Sequence, residues 1–295
     1  MGKSAVLFVN LNKEKSQNTA AEIKKELEKN NYNVTVFSYY GKPGEIPKGK
    51  WDIAFSLGGD GTVLFTARCL APMKVPILPV NLGSLGFIAG VNSNEWLDVF
   101  NKWESGNISL SRRCMLKISV ERDSKVIMEN ICLNDVVITA SGIAKLINLD
   151  VHINSSAGST SLGSYRCDGL IIATPTGSSA YSMAAGGPIM DPEMEAVILN
   201  PICPFTLSNI PVVLPSNQQL EITVASEQRT SILLTVDGQD MFDLELSDKI
   251  FVQQAPTPAL LIYTGTHSYY SVLRSKLFGF GNYYQNESGK GDSNA

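Results

Sequence analysis

Trp51-Asp52-Ile53-Ala54-Phe55-Ser56-Leu57-Gly58-Gly59-Asp60-Gly61-Thr62 is the stretch on which the reading of the chain turns. Ile53 to Leu57 is a short apolar run of the kind a buried strand needs. It stops at three glycines surrounding one carboxylate, and helix-like spacing resumes from Thr62 to Arg68. A strand, a bare turn and a helix start follow one another. Glycine frees the turn and lets a ligand approach the backbone, while the helix N-terminus offers unpaired N–H groups that attract phosphate. Asp60 is the odd member, because a carboxylate repels phosphate unless it holds a metal ion or accepts a proton from a nucleophile. The plain alternative is a tight turn capped by Asp at a helix start.

Working outward, Ala5 to Val9 reads as a first strand, residues 17–30 as an amphipathic helix through Ala20, Ile23 and Leu27, and Val34 to Phe37 as a second strand. Residues 41–50 are a Pro/Gly loop. Val75 to Val80 is a further apolar run, again ending in a small-residue turn, Asn81-Leu82-Gly83-Ser84-Leu85-Gly86-Phe87. The alternation of strand and helix implies a parallel sheet with helices on both faces and its ligand edge beyond the carboxyl ends of the strands. A last helix carries Trp96, Leu97, Phe100 and Trp103. From Ser109 onward strand follows strand, at 116–121, 126–128, 136–140, 146–153, 220–225, 232–236 and 249–253. The expected fold is an α/β N-terminal domain with a Rossmann-like parallel sheet, residues 1–105, and a β-rich, β-sandwich-like domain, residues 106–265. The segment 266–280 is expected to return as a helix to the first domain, and 281–295 to be a disordered polar tail.

Composition narrows the function. At 295 residues and 44% hydrophobic content the chain can build two real cores, and a net charge of −4 leaves no basic footprint for nucleic acid or an anionic membrane. Anionic ligands must be met locally. Five cysteines, odd in number and never Cys-x-x-Cys, read as reduced thiols in a cytoplasmic protein. No signal peptide or membrane span is visible. A Walker-type Gly-x-x-x-x-Gly-Lys-Ser/Thr loop is absent, and so is Gly-x-Gly-x-x-Gly after the first strand. With His152 and His267 as the two histidines, a zinc hydrolase is disfavoured.

Three further features bear chemistry. Thr174-Pro175-Thr176-Gly177-Ser178-Ser179-Ala180-Tyr181 is a hydroxyl-rich turn at a helix start, which serves either as a plain N-cap or as a cradle for phosphate or ribose. Asn134-Asp135 breaks an apolar stretch, and a buried amide and carboxylate must find partners, either within a bulge or on a ribose or adenine. Asp237-Gly238 between two strand-like runs is a hairpin signal first, with a ligand role as the lesser alternative.

In order and context Gly58-Gly59-Asp60-Gly61-Thr62, the 81–87 turn, Asn134-Asp135, Asp168-Gly169-Leu170, the 174–181 turn and Gly186-Gly187-Pro188 resemble the NAD kinase family, over roughly residues 5 to 277. The glycine-aspartate turn alone also resembles lipid kinases of the diacylglycerol type and phosphofructokinases. Asp135 departs mildly, since many members carry Glu there. The resemblance implies transfer of a phosphoryl group from ATP or polyphosphate to the 2′-hydroxyl of the adenosine ribose of NAD, with a divalent cation such as Mg²⁺. It implies Asp60 as proton acceptor or metal holder, Gly58, Gly59, Gly61 and Thr62 at the donor phosphates, and Asn134, Asp135 and Phe87 at the adenosine, with Gly61 beside them. Asp168 and Ala180 would meet the nicotinamide half, with Thr176, Ser179 and Tyr181 lining the same pocket and Arg166 countering phosphate charge. A neighbouring subunit would complete that pocket, so a homo-oligomer, a tetramer, is implied. The two alternatives in other classes are a lipid kinase sharing the turn and a non-catalytic NAD(P) sensor.

Overall fold

A computed structural model of the chain describes residues 2–40, 46–83, 86–142, 145–155, 158–262 and 269–278. The tail 281–295, His267 and part of the 41–50 loop lie outside these residues. The first unit contains β1 (Ser4–Asn10), α1 (Ser16–Lys29), β2 (Asn33–Tyr39), β3 (Ile53–Gly58), α2 (Asp60–Leu70), β4 (Pro76–Asn81), β5 (Val91–Asn92), α3 (Trp96–Glu104) and β6 (Leu110–Arg113). Strand alternation sorts the side chains. Ala5, Leu7, Val9, Phe55 and Leu57 pack against Ala20, Ile23 and Leu27 of α1 and Trp96 and Phe100 of α3, while Val6, Phe8 and Ala54 face Val63, Ala67 and Leu70 of α2. Helices therefore cover both faces, as the alternation requires.

The second unit is built from β7 (Leu116–Arg122), β8 (Lys125–Cys132), β9 (Asp135–Ala140), β10 (Ile147–Ser155), β11 (Gly158–Cys167), β12 (Gly169–Ala173), the short helix α4 (Tyr181–Ala184), β13 (Ala196–Ile202), β14 (Val212–Pro215), β15 (Gln219–Val224), β16 (Ile232–Val236), β17 (Asp240–Leu244) and β18 (Lys249–Gln254). Two antiparallel sheets result, in the orders β11-β10-β15-β18-β7-β8 and β14-β13-β12-β9-β16-β17. Leu116, Ile118, Leu149, Val151, Ile222 and Ile250 of one interlock with Val136, Ile138, Leu170, Ile172, Leu199 and Leu234 of the other. That shared core makes the unit a β-sandwich.

β19 (Ala259–Ile262) then returns to the first sheet, whose order is β2-β1-β3-β4-β19-β6 with β5 also on β4. β19 runs parallel to β4, and β6 lies antiparallel to β19. The stretch 106–265 thus gives both of its ends, β6 and β19, to the α/β sheet. The physical reason is edge pairing: β4 would otherwise leave a row of unpaired N–H and C=O groups. Beyond it, α5 (Tyr269–Leu273) and a wide turn, Arg274–Phe278, reach the first unit, with the Tyr269 ring 6.4 Å from that of Phe87 and the Lys276 ammonium 4.9 Å from the Phe87 ring centre.

Candidate active site

The carboxyl ends of β1, β3 and β4 meet at one edge, where Asn10 Nδ2 donates to Thr62 Oγ1 (3.3 Å) and the Gly58 carbonyl accepts the Leu82 N–H (2.9 Å). Gly59 stands before α2 in extended conformation, and Asp60 opens the helix. A cavity of about 500 Å³ lies over this helix start, lined by Asn10, Lys13, Tyr39, Gly59, Gly61 and Thr62, then by Phe65, Arg68, Gln239 and Asp240. A helix N-terminus, one lysine and bare glycine backbone form a wall for phosphate.

Asp60 is itself occupied. Its Oδ2 accepts the N–H of Phe87 (2.9 Å), and its Oδ1 those of Ile88 (3.1 Å) and Ala89 (2.8 Å). A carboxylate has about four acceptor sites, so roughly one stays open, on Oδ2. Asp60 thereby holds the turn that carries Phe87, whose ring packs in the cluster that contains Leu133.

On the sandwich side, the Asn134 carbonyl accepts the Thr174 N–H (2.8 Å), and Thr174 Oγ1 donates to the Leu133 carbonyl (2.5 Å) while accepting the Gly177 N–H (3.0 Å). The 174–181 turn is therefore tied directly onto Asn134. Ser178 Oγ accepts the Met190 N–H (3.0 Å), and Ser179 Oγ donates to the Thr176 carbonyl (3.3 Å). Asn134 Oδ1 and Thr176 Oγ1 are left buried with no hydrogen-bond partner among the described residues. Each such orphan costs about 1–3 kcal/mol unless a ligand or water satisfies it. Burial, with the neighbouring Asp237 carboxylate, pushes the Asp135 carboxyl up to about 7.

Asp60, Gly61, Phe87, Asn134, Asp135, Thr176 and Ser179 thus belong to one connected region, together with Gly58, Gly59 and Thr62. Ala180 links that turn to α4, and Tyr181 at the head of α4 is exposed. Arg166 and Asp168 are elsewhere. Register places Ala173 opposite Asp135 and Gly169 opposite Thr139, so Asp168 sits at the far end of the same strands, about 16 Å away at 3.3 Å per residue. Arg166 in β11 lies over the Phe205 ring at 4.7 Å.

Sequence reasoning gave Asp237 a hairpin role and did not single out Arg68, Lys13 or Gln239. Asp237 and Gly238 do form the β16–β17 turn, with φ of 50° and 64°. The buried Asp237 carboxylate also accepts the N–H groups of Leu133 (3.1 Å), Asn134 (2.7 Å) and Asp135 (3.2 Å), and lies 3.7 Å from Arg68 Nη1. Arg68 Nη2 meets Asp240 at 3.1 Å, and Gln239 Nε2 donates to the Gly61 carbonyl at 2.8 Å. The Asp-Gly pair was the available signal, since that turn would accept Asn equally well.

A helix start bare of side chains, with two buried unpartnered acceptors in the same connected region, is the arrangement that a nucleotide-dependent phosphotransferase needs. Sequence comparison gives it a family. The ATP-NAD kinase N-terminal domain matches residues 44–108 and the ATP-NAD kinase C-terminal domain residues 111–264. The NAD kinase of Treponema denticola is 40% identical over 93% of this chain and 96% of its own, and that of Geobacter sulfurreducens 35% identical over 93% and 98%. The chain belongs to the NAD kinase family. In fold it is similar to yeast NADH kinase complexed with NADH (TM-score 0.81, 23% identity, 100% of this chain and 90% of that one). It is also similar to an NAD kinase from Archaeoglobus fulgidus in complex with ATP (TM-score 0.68, 24% identity, 94% and 97%). Family membership removes the support for a lipid kinase. Among the described residues no helix is long and apolar enough to cross a membrane.

Proposed function

We propose that this chain transfers the terminal phosphoryl group of ATP to the 2′-hydroxyl of the adenosine ribose of NAD, giving NADP. The observation that carries the reading is the pair of buried, unpartnered acceptors, Asn134 Oδ1 and Thr176 Oγ1, beside the glycine turn that opens the phosphate-seeking cavity. The adenosine amine and ribose hydroxyls are donors of the kind those atoms lack.

In this reading Gly58, Gly59, Gly61 and Thr62 admit the donor phosphates to the start of α2, and Lys13 adds charge from the cavity wall. Asn134 and Asp135 bind adenosine with Phe87 alongside. The one open acceptor site of Asp60 receives the 2′-hydroxyl, orients it toward the phosphorus and takes its proton. Phosphoryl transfer passes through a loose transition state, so alignment and charge neutralisation supply most of the acceleration.

No group of three His, Cys, Asp or Glu among the described residues could hold a metal ion, and Asp60 is largely taken by backbone N–H groups. The residues do not fit a resident metal centre. The divalent cation, Mg²⁺, is taken as arriving on the donor phosphates, which is its usual mode with nucleotides.

A homotetramer supplies the nicotinamide half of the pocket. Asp168 lies at the far end of β12 from Asn134, and Arg166 stacks on the exposed Phe205 ring, on a surface where Leu207 and Ile210 are exposed as well. Work in the cytoplasm accords with five unpaired cysteines.

The test is NADP formation from NAD, ATP and Mg²⁺, read with an NADP-specific dehydrogenase, for the wild type and Asp60→Asn. Product from the wild type alone supports both the reaction and the residue. Intact NADP binding without turnover in the wild type would favour a sensor. Near-normal turnover in the variant would remove Asp60 from the mechanism.

A further inference from the structure

The Asp237 side chain is fully buried, yet it belongs to none of the groups that touch substrate in the reading above. A left-handed two-residue turn needs only residues tolerant of positive φ, and Asn-Gly would fold it as well as Asp-Gly. What Asn could not do is accept all three N–H groups of residues 133–135. Its amide NH₂ would face one of them, donor against donor. The return bond, Asp237 N–H to the Asp135 carbonyl at 2.9 Å, closes the clasp from the other side. Arg68 supplies the counter-charge from α2, the helix that begins at Asp60, and Gln239 ties the same hairpin to Gly61.

We propose that Asp237 is a positioning residue for the reaction: with Arg68 as its counter-ion, its carboxylate fixes the backbone of residues 133–135 so that Asn134 and Asp135 meet the adenosine half of the acceptor. The inference rests on the reading of Asn134 and Asp135 as acceptor-binding residues. It adds that the acceptor pair is held from the hairpin and registered against the donor-side helix through one ion pair.

The charges around Asp135 give a readout that scaffolding alone would not move. Asp237 faces it from the hairpin, Arg68 faces Asp237 from α2 with Asp240 beside it, and the Cys132 thiol on β8 is kept neutral by burial. If ionised Asp135 receives the adenosine donors, the KM for NAD falls as pH rises through about 7. Removing the negative neighbour moves that limb to lower pH, and removing the cation moves it to higher pH.

The experiment measures KM for NAD and for ATP, and the pH profile of kcat/KM for NAD, in the wild type, Asp237→Asn and Arg68→Gln. Asp237→Asn is expected to raise the KM for NAD tenfold or more, to change the KM for ATP by less than threefold, and to shift the NAD limb to lower pH. Equal effects on both KM values, no effect on either, or an unmoved limb would overturn the proposal. Should Asp237→Asn fail to fold, as judged by circular dichroism, Arg68→Gln decides: an upward shift of the limb supports the proposal and an unmoved one refutes it. Failure of the wild type to bind NAD would instead sink the underlying reading and the proposal with it.

Discussion

Gly86 lies directly against the Asp60 carboxylate: a Cβ built on it would stand 1.9 Å from Oδ1 and 2.6 Å from Cγ. Residues 26 apart in sequence are thus in backbone-to-side-chain contact, which only glycine permits, and the three N–H groups that follow Gly86 close on the same carboxylate.

Gly86→Ala is therefore expected to act as an Asp60 mutation without touching Asp60. The added methyl can be relieved only by turning the carboxylate out of its cradle, which strands three N–H groups at a cost of about 2 kcal/mol or more. Turnover should fall at least tenfold together with a lowered urea midpoint. Wild-type values for both would show that the turn can be rebuilt without the cradle.

Gly177→Ala strikes backbone instead. Its Cβ would come within 2.1 Å of the Asn134 carbonyl oxygen and 2.5 Å of the carbonyl carbon, and no side-chain rotation relieves that. The 174–181 turn must part from Asn134, at about 1–3 kcal/mol for an overpacked contact. NAD titration by calorimetry should show affinity lost well before the donor site weakens.

Stability should fall as pH rises from about 4 toward 7. Asp135 binds its proton more tightly folded than unfolded, its carboxyl being pushed from 3.8 up to about 7, so the native state is favoured below the lower value and loses that advantage through the upper one. Asp237 is raised in the same direction by burial, against its N–H donors and Arg68. Urea unfolding across that window should show the slope, and Asp135→Asn should flatten it.

Thiol labelling separates the cysteines. Burial holds Cys69 and Cys167 at about 12, Cys114 at about 11 and Cys132 well above the ordinary thiol range, while Cys203 is exposed. The thiolate is the reactive form. One fast equivalent with a disulfide reagent is expected in the native protein, abolished by Cys203→Ser, and five equivalents after denaturation.

Local pattern carried much of this. The apolar runs of β1 and β3, the helical spacing of Ala20, Ile23 and Leu27, and the bare turn at Gly58 to Gly61 are short-range features, and a structure forms there for the reasons visible in the letters. β11 was not legible because Gly158–Cys167 is rich in Ser, Thr and Gly and largely exposed, so no buried face marks it. The second employment of Asp60, and that of Asp237, could not be read either. Their partners lie about 27 and 103 residues away, and no periodicity links a carboxylate to N–H groups at such distances.

The path of the backbone through the first sheet also sets an order of events. β19 lies between β4 and β6, so the α/β layer cannot close until the whole sandwich, residues 116 to 254, has been made and its last strand turns back. On the ribosome the N-terminal part waits with the first residues of β4 uncovered, β5 pairing only Val80 and Asn81, and its sheet is completed by a strand made after the sandwich. Such late, distant pairing is slow to find and leaves an edge open to wrong partners. A chain halted after Arg113 is therefore expected to precipitate where the complete protein stays in solution, as centrifugation of the two after synthesis would reveal.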